Sequence, residues 1–205
     1  MIFFYHSDKN FIFVKNKKDM KAAYNTMTVG EYIAFEETSE VRHEFINGKL
    51  YEMSETTDFH NLMCQQLAFL LKSLLRGKGC RVFQENVKVR ILNDKDYTYP
   101  DVFFTCDERD ATSRHIKRYP SVILEVLSDG TRVYDKTDKF IRYQKIESLK
   151  YYLTVEPEKA LVECYTKQKD GTWEVETFTQ LSEVIKLSHL NIELYMQDIY
   201  EEVFN

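Results

Sequence analysis

The sequence predicts a mixed α/β fold with helices flanking a curved sheet. Three observations lead there. Short apolar runs of strand length are interleaved with segments of helical period, an order that suits layered helices and sheet. A chain of 205 residues with 43% hydrophobic content is long enough for one good core, so one domain is the expectation. With only 6 Gly and 3 Pro, no stretch reads as a linker or low-complexity tract.

Residues 1–26 stand apart. Segments 2–5 and 11–14 have strand character, the Lys-rich 15–21 has little to bury, and the whole is expected to be an N-terminal extension outside the core. The domain proper is expected over 27–205. It opens with Thr28 as N-cap and Glu31 three residues on, a capping box. Asn47-Gly48, set between apolar runs, predicts a hairpin over 43–53 with a type I′ turn. From 59 to 75, Leu62, Met63, Leu67, Leu70, Leu71 and Leu74 recur at helical spacing, and Gly77 and Gly79 mark the end.

Val82, Val87, Val89 and Ile91 predict a strand over 80–92, which turns through 93–96 into a second strand over 97–106. Segment 107–119 is polar and expected to be exposed. A buried strand follows over 120–127, then a helix over 135–146 with Phe140, Tyr143 and Ile146 on one face. Another strand spans 149–155. A hairpin over 160–166 and 172–178 turns at Lys169-Asp170-Gly171, and a short amphipathic helix is expected over 194–204. No internal repeat is found.

The net charge of -5 gives no electrostatic footprint for non-specific nucleic-acid binding, although a local basic face is compatible with an acidic protein. Cys64, Cys80, Cys106 and Cys164 form neither a CxxC nor a zinc-spaced pair, so buried free thiols in a reducing cytosol are expected. No apolar run reaches the roughly 18 residues that span a bilayer, and Asp8, Lys9 and Asn10 interrupt the apolar start. A cytoplasmic protein without membrane contact is expected. Phosphate-loop, dinucleotide, HExxH and GxSxG patterns are absent from the sequence.

Chemistry concentrates on two lone acids in apolar runs. Asp101 follows Pro100, which belongs at a strand start or edge because it cannot donate to a ladder. Glu125 lies inside Val-Ile-Leu-Glu-Val-Leu, costly to bury unless something pairs with it. Carboxylates with a backbone carbonyl such as that of Val126 are hard ligands suited to Mg²⁺. The plainer alternatives are outward residues of half-exposed strands, or partners of a buried Arg.

In a helix starting near Asp135, Lys139 lies one turn on and on the same face, while Lys136 faces elsewhere. Lys139 could thus reach a scissile phosphate, or simply form a surface pair with Asp135. His60, at the start of the long helix, could donate to a phosphate, ligate a metal or only cap. Glu44 could be a further carboxylate on the metal or a strand residue with a polar partner.

These residues form an ordered series: Met27-Thr28-Val29 with Glu31-Tyr32, Glu44 to Leu50, His60, Pro100-Asp101, Glu125 to Ser128, Thr131-Arg132, Asp135, Lys139 and Tyr143. The series resembles the Uma family of restriction-endonuclease-like proteins, within the PD-(D/E)XK nucleases. The resemblance covers 27–204 and implies a restriction-endonuclease-like mixed sheet flanked by helices.

It further implies Asp101 and Glu125 as ligands of Mg²⁺, or of Mn²⁺ in its place, and hydrolysis of DNA by a metal-activated water. Glu44, His60, Asp135 and Arg132 would be supporting residues. One departure matters. The pattern expects Lys two residues after the second acid, where this chain has Leu127, so Lys139 would be a migrated lysine. The alternative is a non-catalytic nucleic-acid-binding or structural module that keeps the fold. A homodimer is compatible with either.

Overall fold

A computed structural model describes residues 26–53, 56–91, 95–201 and 203. The expectations for 1–25 lie outside the described residues. Helix α1 (Val29–Thr38) begins at the expected capping box: the Glu31 amide donates to Thr28 Oγ1, and the Thr28 amide donates back to the Glu31 carboxylate. β1 (His43–Ile46) and β2 (Lys49–Glu52) form the expected hairpin. At its turn Asn47 and Gly48 both have positive φ, as a type I′ turn requires. α2 (Asp58–Leu74) is the long amphipathic helix, N-capped by Thr57.

The next two segments depart from expectation. The run 80–92 is not one strand but two, β3 (Arg81–Gln84) and β4 (Lys88–Ile91), broken where Glu85 and Asn86 both adopt positive φ. The run 97–106 is likewise two, β5 (Asp96–Thr98) and β6 (Val102–Thr105), broken at Tyr99-Pro100-Asp101. β4 pairs with β5 and β3 with β6, so one long hairpin bends at the same level in both arms and enters two sheets. The physical reasons are local. Two left-handed residues cannot continue a strand, and Pro100 opposite them has no N–H for a ladder. The Glu85 amide donates to the Asp101 carbonyl (2.9 Å), which pins the bend.

The segment 107–119 is not wholly exposed. It holds a short 3₁₀ turn and β6 is followed by β7 (Ile116–Lys117), with Asp110 and Lys117 buried. β8 (Val122–Val126) follows. The helix expected from 135 starts earlier, as α3 (Arg132–Tyr134), a π-helical turn over Asp135–Lys139, and α4 (Phe140–Tyr143). It crosses over to β9 (Tyr151–Val155), parallel to β8. β10 (Val162–Lys167) and β11 (Trp173–Phe178) form the expected hairpin.

The C-terminal helix expectation is largely replaced. A hairpin of β12 (Val184–Leu187) and β13 (Ile192–Tyr195) comes first, and among the described residues of that stretch Met196–Ile199 is helical, as α5. Its alternating Ile192/Leu194 pattern is a strand's, buried on one face.

The larger sheet runs β11-β10-β9-β8-β6-β3 and the smaller β2-β1-β5-β4-β7, with β12-β13 separate. Met63, Leu67 and Leu71 of α2 pack on Val102, Phe104, Val122 and Leu124, one face of the larger sheet. Phe140 and Tyr143 of α4 join Phe103, Ile123 and Tyr152 on the other. Glu125 alternates onto the α4 side, beside Ile123. The larger sheet is thus covered on both faces where β6 and β8 meet. The four cysteines are not all free: Cys80 and Cys106 form a disulfide across the ends of β3 and β6, while Cys64 and Cys164 are free and buried. No helix among the described residues is long and apolar enough to cross a membrane.

Candidate active site

Asp101 sits at the bend between β5 and β6, and Glu125 near the end of β8, the strand that pairs with β6. The two acids interlock through the backbone. The Val126 amide donates to Asp101 Oδ2 (2.7 Å), and the Asp101 amide lies 3.4 Å from Glu125 Oε2. Glu125 is 1% exposed, which removes the reading of an outward, solvated acid.

The π-helical turn delivers the cation. Both its end residues, Asp135 and Lys139, are buried on the inner face, as their four-residue spacing expects, while Thr137 and Asp138 stay exposed. Lys139 Nζ lies 3.0 Å from Glu125 Oε1, 3.4 Å from Glu44 Oε1 and 3.4 Å from Asp135 Oδ1. Lys136 turns away to Glu163 at 3.0 Å. The pair expected between Asp135 and Lys139 therefore exists, but inside the protein rather than on its surface.

Tyrosines orient the acids. Tyr143 donates to Glu125 Oε1 (2.9 Å) and Tyr134 to Glu44 Oε2 (3.1 Å). Tyr152 donates to the Asp135 carbonyl (2.8 Å), fixing the π turn to β9. Glu44 Oε1 is buried and has no hydrogen bond among the described residues, only the ammonium at 3.4 Å.

His60, in the first turn of α2, completes the group from the other face of the sheet. Its Nε2 is 3.3 Å from Asp101 Oδ2, and its Nδ1 is 3.5 Å from Cys64 Sγ one turn along the helix. Arg132 is not part of the cluster; its guanidinium pairs with Glu156 and with Asp129 (3.6 Å).

The electrostatics follow from this crowding. Burial pushes the Glu125 carboxyl well above the ordinary range; Lys139 opposes that, and Asp101 and Asp135 add to it. Asp135 is also raised by burial, against the pull of Lys139. Burial would raise Asp101 too, but His60 more than offsets it and holds the carboxyl below its usual value. Burial tends to deprotonate Lys139, and Glu125 and Glu44 reverse this and keep it charged.

Four carboxylates therefore face one lysine and one histidine in a low-dielectric site. Burial disfavours the charged forms of Glu125 and Asp135, and a further cation would restore them. Sequence reasoning missed Cys64 and Tyr134 as members of this group, and held Tyr143 only as part of the ordered series and of the helix's apolar face. The His60–Cys64 spacing of four on a helix was the one signal able to reveal Cys64.

A bent hairpin, a mixed sheet covered on both faces and a cluster of acids with one lysine at the β6–β8 junction make this a restriction-endonuclease-like protein. Residues 29–197 match the model of the Uma2 family, described as "putative restriction endonuclease", and the chain belongs to that family. Two uncharacterised proteins of Synechocystis sp. are similar. The protein slr1290 is 31% identical over 179 residues, covering 87% of this chain and 94% of its own. The protein sll1609 is 30% identical over 154 residues, covering 74% and 87%.

Among solved structures, a "putative nuclease belonging to DUF820" from Anabaena variabilis superposes with a TM-score of 0.73 over 87% of this chain and 99% of its own. At 17% identity that likeness concerns the fold.

Proposed function

We propose that this protein is a divalent-metal-dependent endonuclease that hydrolyses DNA phosphodiester bonds, with Asp101 and Glu125 as metal ligands and Lys139 as the catalytic cation. The observation that carries the proposal is the surplus of buried carboxylate at the bend: Asp101, Glu125, Glu44 and Asp135 against Lys139 and His60.

The donor set fits Mg²⁺ or Mn²⁺. Carboxylate oxygens predominate, and the buried Glu44 Oε1 has no hydrogen bond among the described residues, only the Lys139 ammonium at 3.4 Å. Such an ion, when bound, makes water more acidic and polarises phosphoryl oxygens.

The chain's own residues do the rest. Asp101, held low in pKa beside His60, stays ionised and anchors the site. Tyr143 holds Glu125 Oε1 in position, leaving Oε2 directed toward Asp101. Lys139, kept protonated by its neighbours, is the donor for negative charge that develops on the phosphate or for orienting an attacking water. It takes the role that the family pattern gives to a lysine at Leu127, which is instead buried, with its amide donating to the Val155 carbonyl.

The test is plasmid and oligonucleotide cleavage with Mg²⁺ or Mn²⁺ and with chelator. Cleavage is expected only with the ion, and Asp101→Ala, Glu125→Ala and Lys139→Ala should each lower the rate by about 10²–10³-fold. Ion-dependent cleavage that survives Asp101→Ala sinks the mechanism. A second reading, a DNA-binding module without turnover, draws on one observation: three carboxylates already engage Lys139. DNA binding with no cleavage under any ion would favour it.

A further inference from the structure

We propose that His60 is a nitrogen ligand of this site through Nε2, with Cys64 holding its ring, and that the site therefore favours Mn²⁺-class ions over Mg²⁺. The inference rests on the metal-site reading above and concerns which ion that site selects.

Geometry comes first. Ligands cis to one another on an ion with bonds near 2.1 Å lie about 3 Å apart. His60 Nε2 and Asp101 Oδ2 are separated by 3.3 Å, so one small ion can touch both with little movement. Ligand atoms of His60, Cys64 and Asp101 all lie within 4.8 Å of one another. Access points the same way. The side chains of Asp101 and His60 are 15% and 12% exposed, whereas those of Glu125, Asp135 and Lys139 are 1%, 4% and 8% exposed. An ion arriving from solvent meets the aspartate and the imidazole before the buried acids.

Cys64 acts on the other side of the ring. Sγ sits 3.5 Å from Nδ1, fixed by the four-residue helical spacing. Buried in the apolar core beside Met63 and Leu67, it is a weak partner for the ring. With a proton on Nδ1 toward sulfur, an ion that displaces the Nε2 proton now shared with Asp101 meets the Nε2 lone pair. The partner on one ring nitrogen commonly sets which nitrogen binds metal.

Chemistry then selects the ion. Mg²⁺ takes oxygen ligands and keeps its waters, while imidazole suits later first-row ions, which bind nitrogen more tightly along the series from Mn²⁺ upward. A site of purely oxygen donors has no such bias.

The experiment uses the full chain, with ¹⁴N- and ¹⁵N-labelled histidine, loaded with Mn²⁺ and read by pulsed electron paramagnetic resonance, alongside calorimetric titration of Mn²⁺ and Mg²⁺. A directly bound histidine nitrogen is expected in the spectrum, changing with the isotope. Mn²⁺ should bind about 10- to 100-fold more tightly than Mg²⁺, and His60→Ala should remove both the nitrogen signal and most of that gap. Mn²⁺ binding that is lost in Asp101→Ala but shows no histidine nitrogen overturns this inference and leaves the nuclease reading standing. No binding of either ion overturns both. The isotope measurement on the unmutated chain does not depend on how any variant folds.

Discussion

At the residue scale the site turns on Lys139, the one lysine among three carboxylates within 3.4 Å. Removing one partner of a buried ion pair leaves uncompensated charge and costs about 3–5 kcal/mol, more than the pair itself contributes. Lys139→Met keeps the length and apolar stem of the side chain but deletes the ammonium. It is expected to destabilise the ion-free protein by about that amount, and a divalent ion should restore more stability to the variant than to the unmutated protein, since the ion supplies the missing charge. Thermal melts of both proteins with and without Mn²⁺ check this; equal ion-induced shifts would refute it. The sequence pointed to Asp101 and Glu125 because an acid inside an apolar run is legible without a structure, to Lys139 by its four-residue spacing from Asp135, and to Glu44, His60 and Asp135 through the family series. Arg132 was expected as a supporting residue through the family series alone, and its guanidinium instead pairs with Glu156 and Asp129.

At the element scale the bend is held from outside by α1. Glu36, 1% exposed, accepts from the His43 amide (3.0 Å) and from Tyr99 (2.7 Å), and its Oε2 is 3.1 Å from His43 Nδ1. One carboxylate thus joins α1, β1 and the residue before Pro100-Asp101. Burial raises its pKa, but the bonds from His43 and Tyr99 prevail and set it below its ordinary 4.5. The sign follows: a carboxyl depressed on folding contributes stability that is complete above 4.5 and fades as pH falls through the lower folded value. Glu36→Gln is expected to melt lower at pH 7 and to lose less stability than the unmutated protein between pH 5 and roughly pH 3. Urea melts across that range decide it, and parallel pH slopes would count against it. This network was not legible, because hydrogen bonds between distant segments leave no periodicity. The bend itself was missed for a related reason: 80–92 and 97–106 carry strand patterns throughout, and Pro100 was the one sequence signal of the break that the left-handed Glu85 and Asn86 make in the facing arm.

At the scale of the whole molecule, helix and hairpin order was readable from capping, turn and period signals, whereas the division into two main sheets depended on where one hairpin bends. The cysteines illustrate the limit. Cys80 and Cys106 looked like unrelated thiols because nothing in their spacing of 26 marks a pair. They lie one step beyond the register pair Arg81↔Thr105, so they face each other once β3 and β6 align. The bond closes a loop holding both arms of the bent hairpin, with Asp101 inside it. In the chain-entropy account a loop of that size stabilises by about 3.5 kcal/mol. Reduction, or the Cys80→Ser/Cys106→Ser double variant, is therefore expected to lower the melting temperature by about 7–14 °C. Ion binding should persist, since the Glu85–Asp101 backbone bond and the α1 network still hold the bend. Thiol titration of the denatured, unreduced chain gives an independent count: two reactive thiols, from Cys64 and Cys164, fit the bond, and four thiols with an unchanged melting point on reduction would exclude it.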